Sequence, residues 1–367
     1  MIFVFTEYFT PAIKAGGPIT SITNLLLMVN GDFRVFARGQ DVNETRSFAI
    51  KVNQWTNNSK NWYVGLGFCS LYWFWRELLK YNQHIFYVNG VFDIKMNFLP
   101  ILFSKRLIIA PRGMLQNGAL VKGWVKKICY LMVLRIFLRN KKVIWHATDE
   151  VEANDIATIF GRQKEITAIP NLVKEIEGLS RQSNKKSGHL NLVYYSLISE
   201  KKNLKFMLDI LNNISISFEL HIYGPVKDLD YANSCKQYVL ESSNLVGKVK
   251  FHGTINSKIF GHVADQYDYF ILPTLGENFG HAIVESLSCG LPVIISDQTP
   301  WVFNTSTYNF SIPLNDTLKW KETLVSLAAL DVLEHQQAKE NAFMFYKDQV
   351  LINQLSAIQA YQTLFQE

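Results

Sequence analysis

The chain has 367 residues, 48% of them hydrophobic and 13% aromatic, with a net charge of +6. This composition excludes a disordered chain, and the length exceeds what one core commonly serves, so two domains are expected. The first 172 residues carry 21 Lys and Arg against 11 Asp and Glu, and the rest 16 against 20, so the first half is the one suited to an anionic partner: nucleic acid, a phosphorylated substrate or an acidic membrane face.

The chain opens with Met1-Ile2-Phe3-Val4-Phe5-Thr6 and meets Glu7 at once. That run is too short, and lacks the basic lead, for a signal peptide, and it reads as a first buried strand. Gly16-Gly17 follow and open an apolar segment, Ile19 to Val29, where glycines let the backbone approach a phosphate at a helix N-terminus. An ordinary turn reads equally well from the spacing, and no G-x-G-x-x-G fingerprint is present. Arg34–Phe36, Ile85–Val88, Leu107–Ala110 and Val143–His146 read as further strands. The aromatic-rich run Asn61 to Trp75 falls short of a bilayer span. Its residues Trp62, Tyr72, Trp73 and Trp75 suit either a core or an acceptor platform.

From Lys122 to Lys142, basic, aromatic and aliphatic residues interleave, as in a helix lying on an anionic bilayer or a core helix with a solvated basic face. Pro170 to Gly188 is polar and reads as a linker. Beyond it, apolar β-rich runs at Leu190–Tyr195, Phe218–Tyr223, Val249–Phe251, Tyr269–Leu272 and Pro292–Ile295 alternate with helical patterns such as Leu204–Leu211 and Tyr231–Leu240. Such alternation predicts a parallel sheet wrapped by helices, with ligands at the strand C-termini. The domains are therefore expected at 1–169 and 189–335, with 170–188 between them and a helical 336–367 suited to packing back across the cleft. The four cysteines, Cys69, Cys129, Cys235 and Cys289, form no C-x-x-C pair, which suits buried thiols in a reducing cytoplasm and argues against zinc. A sequon at Asn304-Thr305-Ser306 carries little meaning in that setting.

The most informative run is Gly276-Glu277-Asn278-Phe279-Gly280-His281-Ala282-Ile283-Val284-Glu285. It joins an apolar strand to a helix expected over Ala282 to Cys289. The Phe279, Gly280 and His281 amides head the helix as anion donors, Glu277 sits in the loop to accept from hydroxyls, and Glu285 lies about two turns on, within reach of a second diol. Framed by strand, glycine turn and helix, the two glutamates resemble the signature of the retaining nucleotide-sugar glycosyltransferases of family 4. Ile169-Pro170-Asn171, Leu220-His221-Ile222-Tyr223-Gly224 and Phe251-His252-Gly253 resemble further family segments, so the likeness covers almost the full chain.

The resemblance implies an α/β GT-B fold, with two Rossmann-like domains whose parallel sheets face a central cleft. It implies transfer of a sugar from a nucleotide-diphosphate donor to a glycan hydroxyl with retention, without metal or cofactor. Glu277 would hold sugar hydroxyls and Glu285 the ribose. Gly16, Gly17, Asn278, Phe279, Gly280 and His281 would border the donor. Lys202 with Asn203 matches the lysine end of the family's diphosphate clamp, whereas Leu197 stands where the family's arginine is expected. Arg112, in Ala110-Pro111-Arg112-Gly113-Met114 after a buried strand, is a planar cation suited to phosphate, with a surface ion pair as its ordinary alternative.

Histidines 146, 221 and 252 lie near strand ends and read as satisfied core residues. Asp228-Leu229-Asp230 reads as a helix-start charge pair. The Asp297-Gln298-Thr299-Pro300-Trp301 segment is expected to shape a cleft wall. The acceptor implied is a lipid-linked bacterial surface glycan, met by a cytoplasmic enzyme peripheral to the inner face of the membrane. A catalytically silent GT-B subunit, supported by Leu197, and a nucleotide-sugar 2-epimerase are the competing readings. Nucleic-acid binding is disfavoured, because the basic residues are scattered and form no known module.

Overall fold

The computed structural model describes the chain apart from residues 43, 45–47, 49–54, 59–60, 67–70, 117–118, 121–122, 163–164, 177–180, 304–306 and 367, with backbone alone at 56–58, 61–66 and 71. Cys69, Lys122 and the Asn304–Ser306 sequon lie outside the described residues, as does the Trp62 side chain. The chain divides into two compact units, Met1–Leu172 with Leu355–Glu367, and Val173–Gln354.

Among the described residues, the first unit is built on eight strands: β1 (Ile2–Thr6), β2 (Phe33–Arg38), β3 (Thr56–Asn58), β4 (Asn61–Leu66), β5 (Ile85–Asn89), β6 (Arg106–Ala110), β7 (Val143–Ala147) and β8 (Glu165–Ala168). Their order is β3-β4-β2-β1-β5-β6-β7-β8, parallel throughout except for β3 against β4. β1, β5 and β7 bury all five residues each, because helices cover both faces of a parallel sheet and such strands read as continuous apolar runs. Side chains alternate between two cores. Phe3, Phe5, Phe36 and Phe86 pack on one face, and Ile2, Val4, Val35 and Tyr87 on the other. The helix Gln354–Leu364 contributes Ala357, Tyr361 and Leu364 to the second core.

The second unit holds six parallel strands: β9 (His189–Tyr195), β10 (Ser217–Tyr223), β11 (Val249–Gly253), β12 (Tyr269–Leu272), β13 (Val293–Ser296) and β14 (Phe310–Ile312), in the order β11-β10-β9-β12-β13-β14. The chain order reverses between β9 and β12, and the corresponding reversal in the first unit falls between β1 and β5. Ligands of open α/β sheets gather at the strand C-termini beside such switch points.

Several expectations meet the structure differently. The tail expected to return as one piece, 336–367, divides: Val332–Tyr346 is a helix whose Ala342 and Tyr346 enter the core of the second unit, and only Leu355–Glu367 groups with the first. The expected linker, 170–188, is anchored. Val173 lies in the second core, and the ammonium of buried Lys185 donates to the carbonyls of Lys186 (2.8 Å), Ala328 (3.1 Å) and His189. Within the described part of the run Asn61 to Trp75, Asn61–Leu66 is a strand and Leu71 begins the helix Leu71–Tyr81. Trp73 packs near Phe36, with ring centres 6.3 Å apart, while Tyr72 and Trp75 are exposed.

Candidate active site

In the second unit, the loops leaving β9 and β12 meet at the switch point. After β9, Glu200–Lys202 form a 3-10 turn and Asn203 takes a left-handed φ of 56°, a conformation asparagine tolerates, before the helix Leu204–Asn212. After β12 comes the glutamate loop. It is braced on one side by Lys201, whose carbonyl accepts from the Leu275 amide (2.8 Å) and the Thr274 hydroxyl (3.1 Å). On the other side the Glu277 amide donates to the Gln298 carbonyl (2.9 Å), and Ser296 Oγ donates to the Thr274 carbonyl (2.6 Å). Between these braces, the Lys202 ammonium pairs with the Glu277 carboxylate, and both side chains are largely buried.

Lys227 arrives from a third loop. Gly224 follows β10 with a φ of 149°, so close to β9 that a Cβ there would lie 1.8 Å from the Ser196 carbonyl oxygen. This approach lets the Lys227 amide donate to the Ile198 carbonyl at 3.1 Å. Partial dehydration, opposed by Glu277 and reinforced by the ammoniums of Lys202 and Lys227, holds Lys201 below the ordinary lysine range. Lys201 thus lies close enough to the Lys202–Glu277 pair and to Lys227 to feel all three charges, a gathering of cations suited to a polyanion.

The following helix runs His281–Ser288. Gly280 precedes it at a left-handed φ of 77° and, lacking a side chain, makes no cap bond to its first turn. Such a terminus offers backbone amides and the positive end of the helix dipole to an anion. The His281 ring stands edge-on to Phe279 with centres 4.9 Å apart, and Asn278 sits half-buried beside it. The Trp301 indole donates to the Phe279 carbonyl, so the segment after β13 braces the turn. Glu285 is buried on the second turn of this helix. Its carboxylate accepts from Ser257 Oγ at 2.8 Å and is also held by the Tyr195 hydroxyl. Burial pushes it up to about 7, against the lowering effect of those two bonds. Tyr195 is itself fixed by stacking on Phe260 at 4.1 Å.

In the first unit, Gly16 has a φ of 65° and precedes the helix Gly17–Met28, with Pro18 in its first turn. The loop before it is pinned by Asp41, whose carboxylate accepts the amides of Ile13 (2.9 Å) and Lys14 (3.1 Å). Arg112 sits beyond β6 at a positive φ of 58°. Its guanidinium donates to Asn89 Oδ1 (2.7 Å), Asn171 Oδ1 (2.5 Å) and the Tyr87 hydroxyl (2.6 Å). The Tyr361 hydroxyl also bonds to it, so its hydrogen-bond partners are neutral and orient the cation, while buried Glu152 is the nearby carboxylate that supports its charge. The ordinary alternative, a surface ion pair, is absent for Arg112 among the described residues.

His146 is a satisfied core residue, bonded to Tyr87 (2.7 Å) and the Ile169 carbonyl (2.9 Å), and burial drives it down to about 3. His252 departs from that expectation: it is exposed and stacks on His221 with ring centres 4.9 Å apart. Asp228 caps the helix Leu229–Glu241 by accepting the Tyr231 amide at 3.1 Å. Ser257, Tyr195 and Lys227 escaped the sequence reading, since each reaches the site from a separate loop or strand end and no spacing links them to Glu277 or Glu285.

Residues 189–329 match the family model for glycosyl transferases group 1. That match lies within the second unit. A curated relative, the phosphatidylinositol N-acetylglucosaminyltransferase gpi3 subunit of Schizosaccharomyces pombe, is 25% identical over 181 residues, covering 47% of this chain and 38% of that protein. The chain thus spans well under half of that relative's length. Among solved structures, the GT-B architecture is shared with sucrose-phosphate synthase from Thermosynechococcus elongatus (TM-score 0.77, 16% identity, 99% of this chain and 98% of that one). It is also shared with HepE from Anabaena in complex with UDP and glucose (TM-score 0.73, 13% identity, 99% of each chain). Within the matched region, Lys201, Lys202, Lys227 and Glu277 stand in the loops after β9, β10 and β12, Ser257 follows β11, and Glu285 lies on the helix after β12.

Proposed function

We propose that the chain is a retaining, metal-independent glycosyltransferase that moves a sugar from a nucleotide-diphosphate donor to a hydroxyl of a lipid-linked glycan. Its setting is bacterial surface polysaccharide synthesis, at the inner face of the cytoplasmic membrane. The observation that carries the reading is the Lys202–Glu277 pair at the second unit's switch point, with Lys201 and Lys227 beside it and buried Glu285 on the next helix. The UDP and glucose complex of HepE supports a nucleotide-sugar donor. The name of the gpi3 relative, which includes phosphatidylinositol, supports a lipid-borne acceptor. No helix among the described residues is long and apolar enough to cross a membrane; the membrane contact proposed is a peripheral one.

In the proposed reaction, the bond between the anomeric carbon and the diphosphate oxygen breaks. The acceptor oxygen bonds to the same face of that carbon, and the acceptor proton passes to the departing phosphate. Charge grows on the leaving diphosphate, where fixed cations and amides stabilise it most. Lys202, Lys201, Lys227 and the turn at Phe279–His281 supply that field. Glu277 orients sugar hydroxyls and Glu285 accepts from the ribose diol. Gly16, Gly17 and Arg112 serve the first unit's side of the reaction.

The test is thermal stabilisation of the purified chain by UDP, GDP, ADP, dTDP and CMP, with and without EDTA, beside Lys202→Ala and Glu285→Ala. A ligand at 100 times its dissociation constant adds about 2.7 kcal/mol, which a melting curve resolves. One diphosphate is expected to stabilise the wild type irrespective of EDTA and to lose its effect in both variants. Leu197, in place of the expected arginine, favours a second reading as a silent glycan-binding subunit. That reading takes over if no nucleotide binds.

A further inference from the structure

The helix Trp124–Leu138 is anchored by one stripe, Leu131, Leu134 and Leu138, buried in the first unit's core. At 100° per residue, the opposite face carries Val125, Ile128, Cys129, Met132, Val133 and Ile136, spaced i, i+3, i+4, i+7, i+8 and i+11. All six are exposed, with Met132 63% and Ile136 73% accessible. A helix whose outward face is a continuous apolar stripe is not explained by its own unit, and such a patch marks an interaction surface. Its flanks decide the partner. Exposed Lys126 lies along one edge and exposed Arg135 and Arg139 along the other, and the helix contains no acidic residue. Lys127 and Lys141, by contrast, are spent on carbonyls, donating to Ala119 (2.5 Å) and to Ile101 and Leu102 (2.5 Å each). Trp124, exposed at the first turn, has the amphipathic ring that settles at the headgroup level. A second copy of this face would bring like charges together, whereas an anionic bilayer offers acyl chains to the stripe and phosphates to its edges.

We propose that this outward face of helix Trp124–Leu138 is the docking surface for an anionic lipid bilayer, with the apolar stripe entering the acyl boundary and Lys126, Arg135 and Arg139 meeting lipid phosphates. The proposal deepens the peripheral contact suggested above. It stands on the helix itself, so vesicle binding and nucleotide binding succeed or fail separately. The experiment is co-sedimentation of the full chain with vesicles of phosphatidylcholine alone and of equal parts phosphatidylcholine and phosphatidylglycerol, at low and high salt. Wild type is expected to sediment with the anionic vesicles at low salt and to bind the neutral ones at least tenfold more weakly. Met132→Asp with Ile136→Asp, and separately Lys126→Glu with Arg135→Glu, are each expected to weaken anionic binding at least tenfold without changing the response to nucleotides. The milder pair Met132→Ser with Ile136→Ser covers a failure of the aspartates to fold. A polarity-sensitive dye on Cys129, in a Cys69→Ser background, is expected to shift to the blue on anionic vesicles. The proposal is overturned if wild type ignores anionic vesicles, if the variants bind like wild type, if the dye does not shift, or if wild type is a dimer that Ile136→Asp splits.

Discussion

Ser257 Oγ donates to the Glu285 carboxylate at 2.8 Å inside a pocket that leaves Glu285 only 7% exposed. The bond lowers the carboxyl's proton affinity, but burial outweighs it and holds the group up at about 7. An acid raised from its ordinary 4.5 contributes stability that is fully present below 4.5 and lost as pH rises through about 7. Between pH 5 and pH 8.5 this group alone therefore costs the fold about 2 to 3 kcal/mol. Glu285→Gln removes that dependence. Urea denaturation of both proteins at the two pH values is expected to give a wild-type decline that the variant lacks; superimposable pH profiles would refute the assignment. Under the proposed function, in which Glu285 accepts from the ribose, nucleotide affinity should move the opposite way, rising with pH as the carboxylate forms.

Lys202 and Glu277 hold each other in a place with little water, so removing either leaves a largely buried charge without its partner. Lys202→Met and Glu277→Gln are each expected to cost about 3 kcal/mol or more, and the double variant clearly less than their sum. A double-mutant cycle by denaturation measures the coupling, and strict additivity would contradict the pair. Ligand choice separates binding from packing. Lys202→Met should lose affinity for a nucleoside diphosphate at least tenfold while leaving the affinity for the bare nucleoside unchanged.

Much of this was legible because parallel strands buried on both faces write themselves as unbroken apolar runs: Ile2–Phe5, Ile85–Val88 and Tyr269–Leu272 all occur as strands. The turn from Gly276 to Glu285 was equally readable, since strand, glycine and helix start are local in sequence. What escaped is long-range or weakly apolar. β8 (Glu165–Ala168) shows no full burial and closes one edge of its sheet, so its pattern carries little signal. Ser257 reaches Glu285 across 28 residues, and Lys227 joins Lys201 only because Gly224 permits the close approach to Ser196. The outward stripe on Trp124–Leu138 was blurred because the opposite stripe is apolar too, and only burial tells them apart.

Arg112 bonds to Asn89, Asn171, Tyr87 and Tyr361, so the direction of its charge depends on two amides and two phenols. Asn89→Ala with Asn171→Ala keeps the cation but releases both of its amide restraints. Under the proposed function, this pair is expected to lower the rate of transfer about tenfold or more while the melting shift with nucleoside diphosphate stays as in wild type. Arg112→Lys, which keeps charge and loses the planar fork, should fall with it. Equal loss of nucleotide binding in these variants would remove Arg112 from the first unit's share of the reaction.

Gly224 sets the distance between the loops after β9 and β10. A Cβ there would lie 1.8 Å from the Ser196 carbonyl oxygen and 2.7 Å from its carbon, both backbone atoms, and the φ of 149° is itself foreign to an L side chain. Gly247 makes a matched control: its φ of 79° is also positive, but a Cβ would meet nothing within 4 Å. Gly247→Ala should therefore cost only the backbone conformation, about 1 kcal/mol, whereas Gly224→Ala must also move one loop away from the other and is expected to cost upwards of 3 kcal/mol. Because the Ile198 carbonyl that receives the Lys227 amide lies in the same contact, the displaced loop should carry Lys227 away from Lys201 and Lys202. Gly224→Ala is then expected to weaken diphosphate binding at temperatures where the variant remains folded, and Gly247→Ala to leave it untouched. Equal stability losses in the two variants would mean that the Ser196 contact yields freely, and the close approach would no longer account for the position of Lys227.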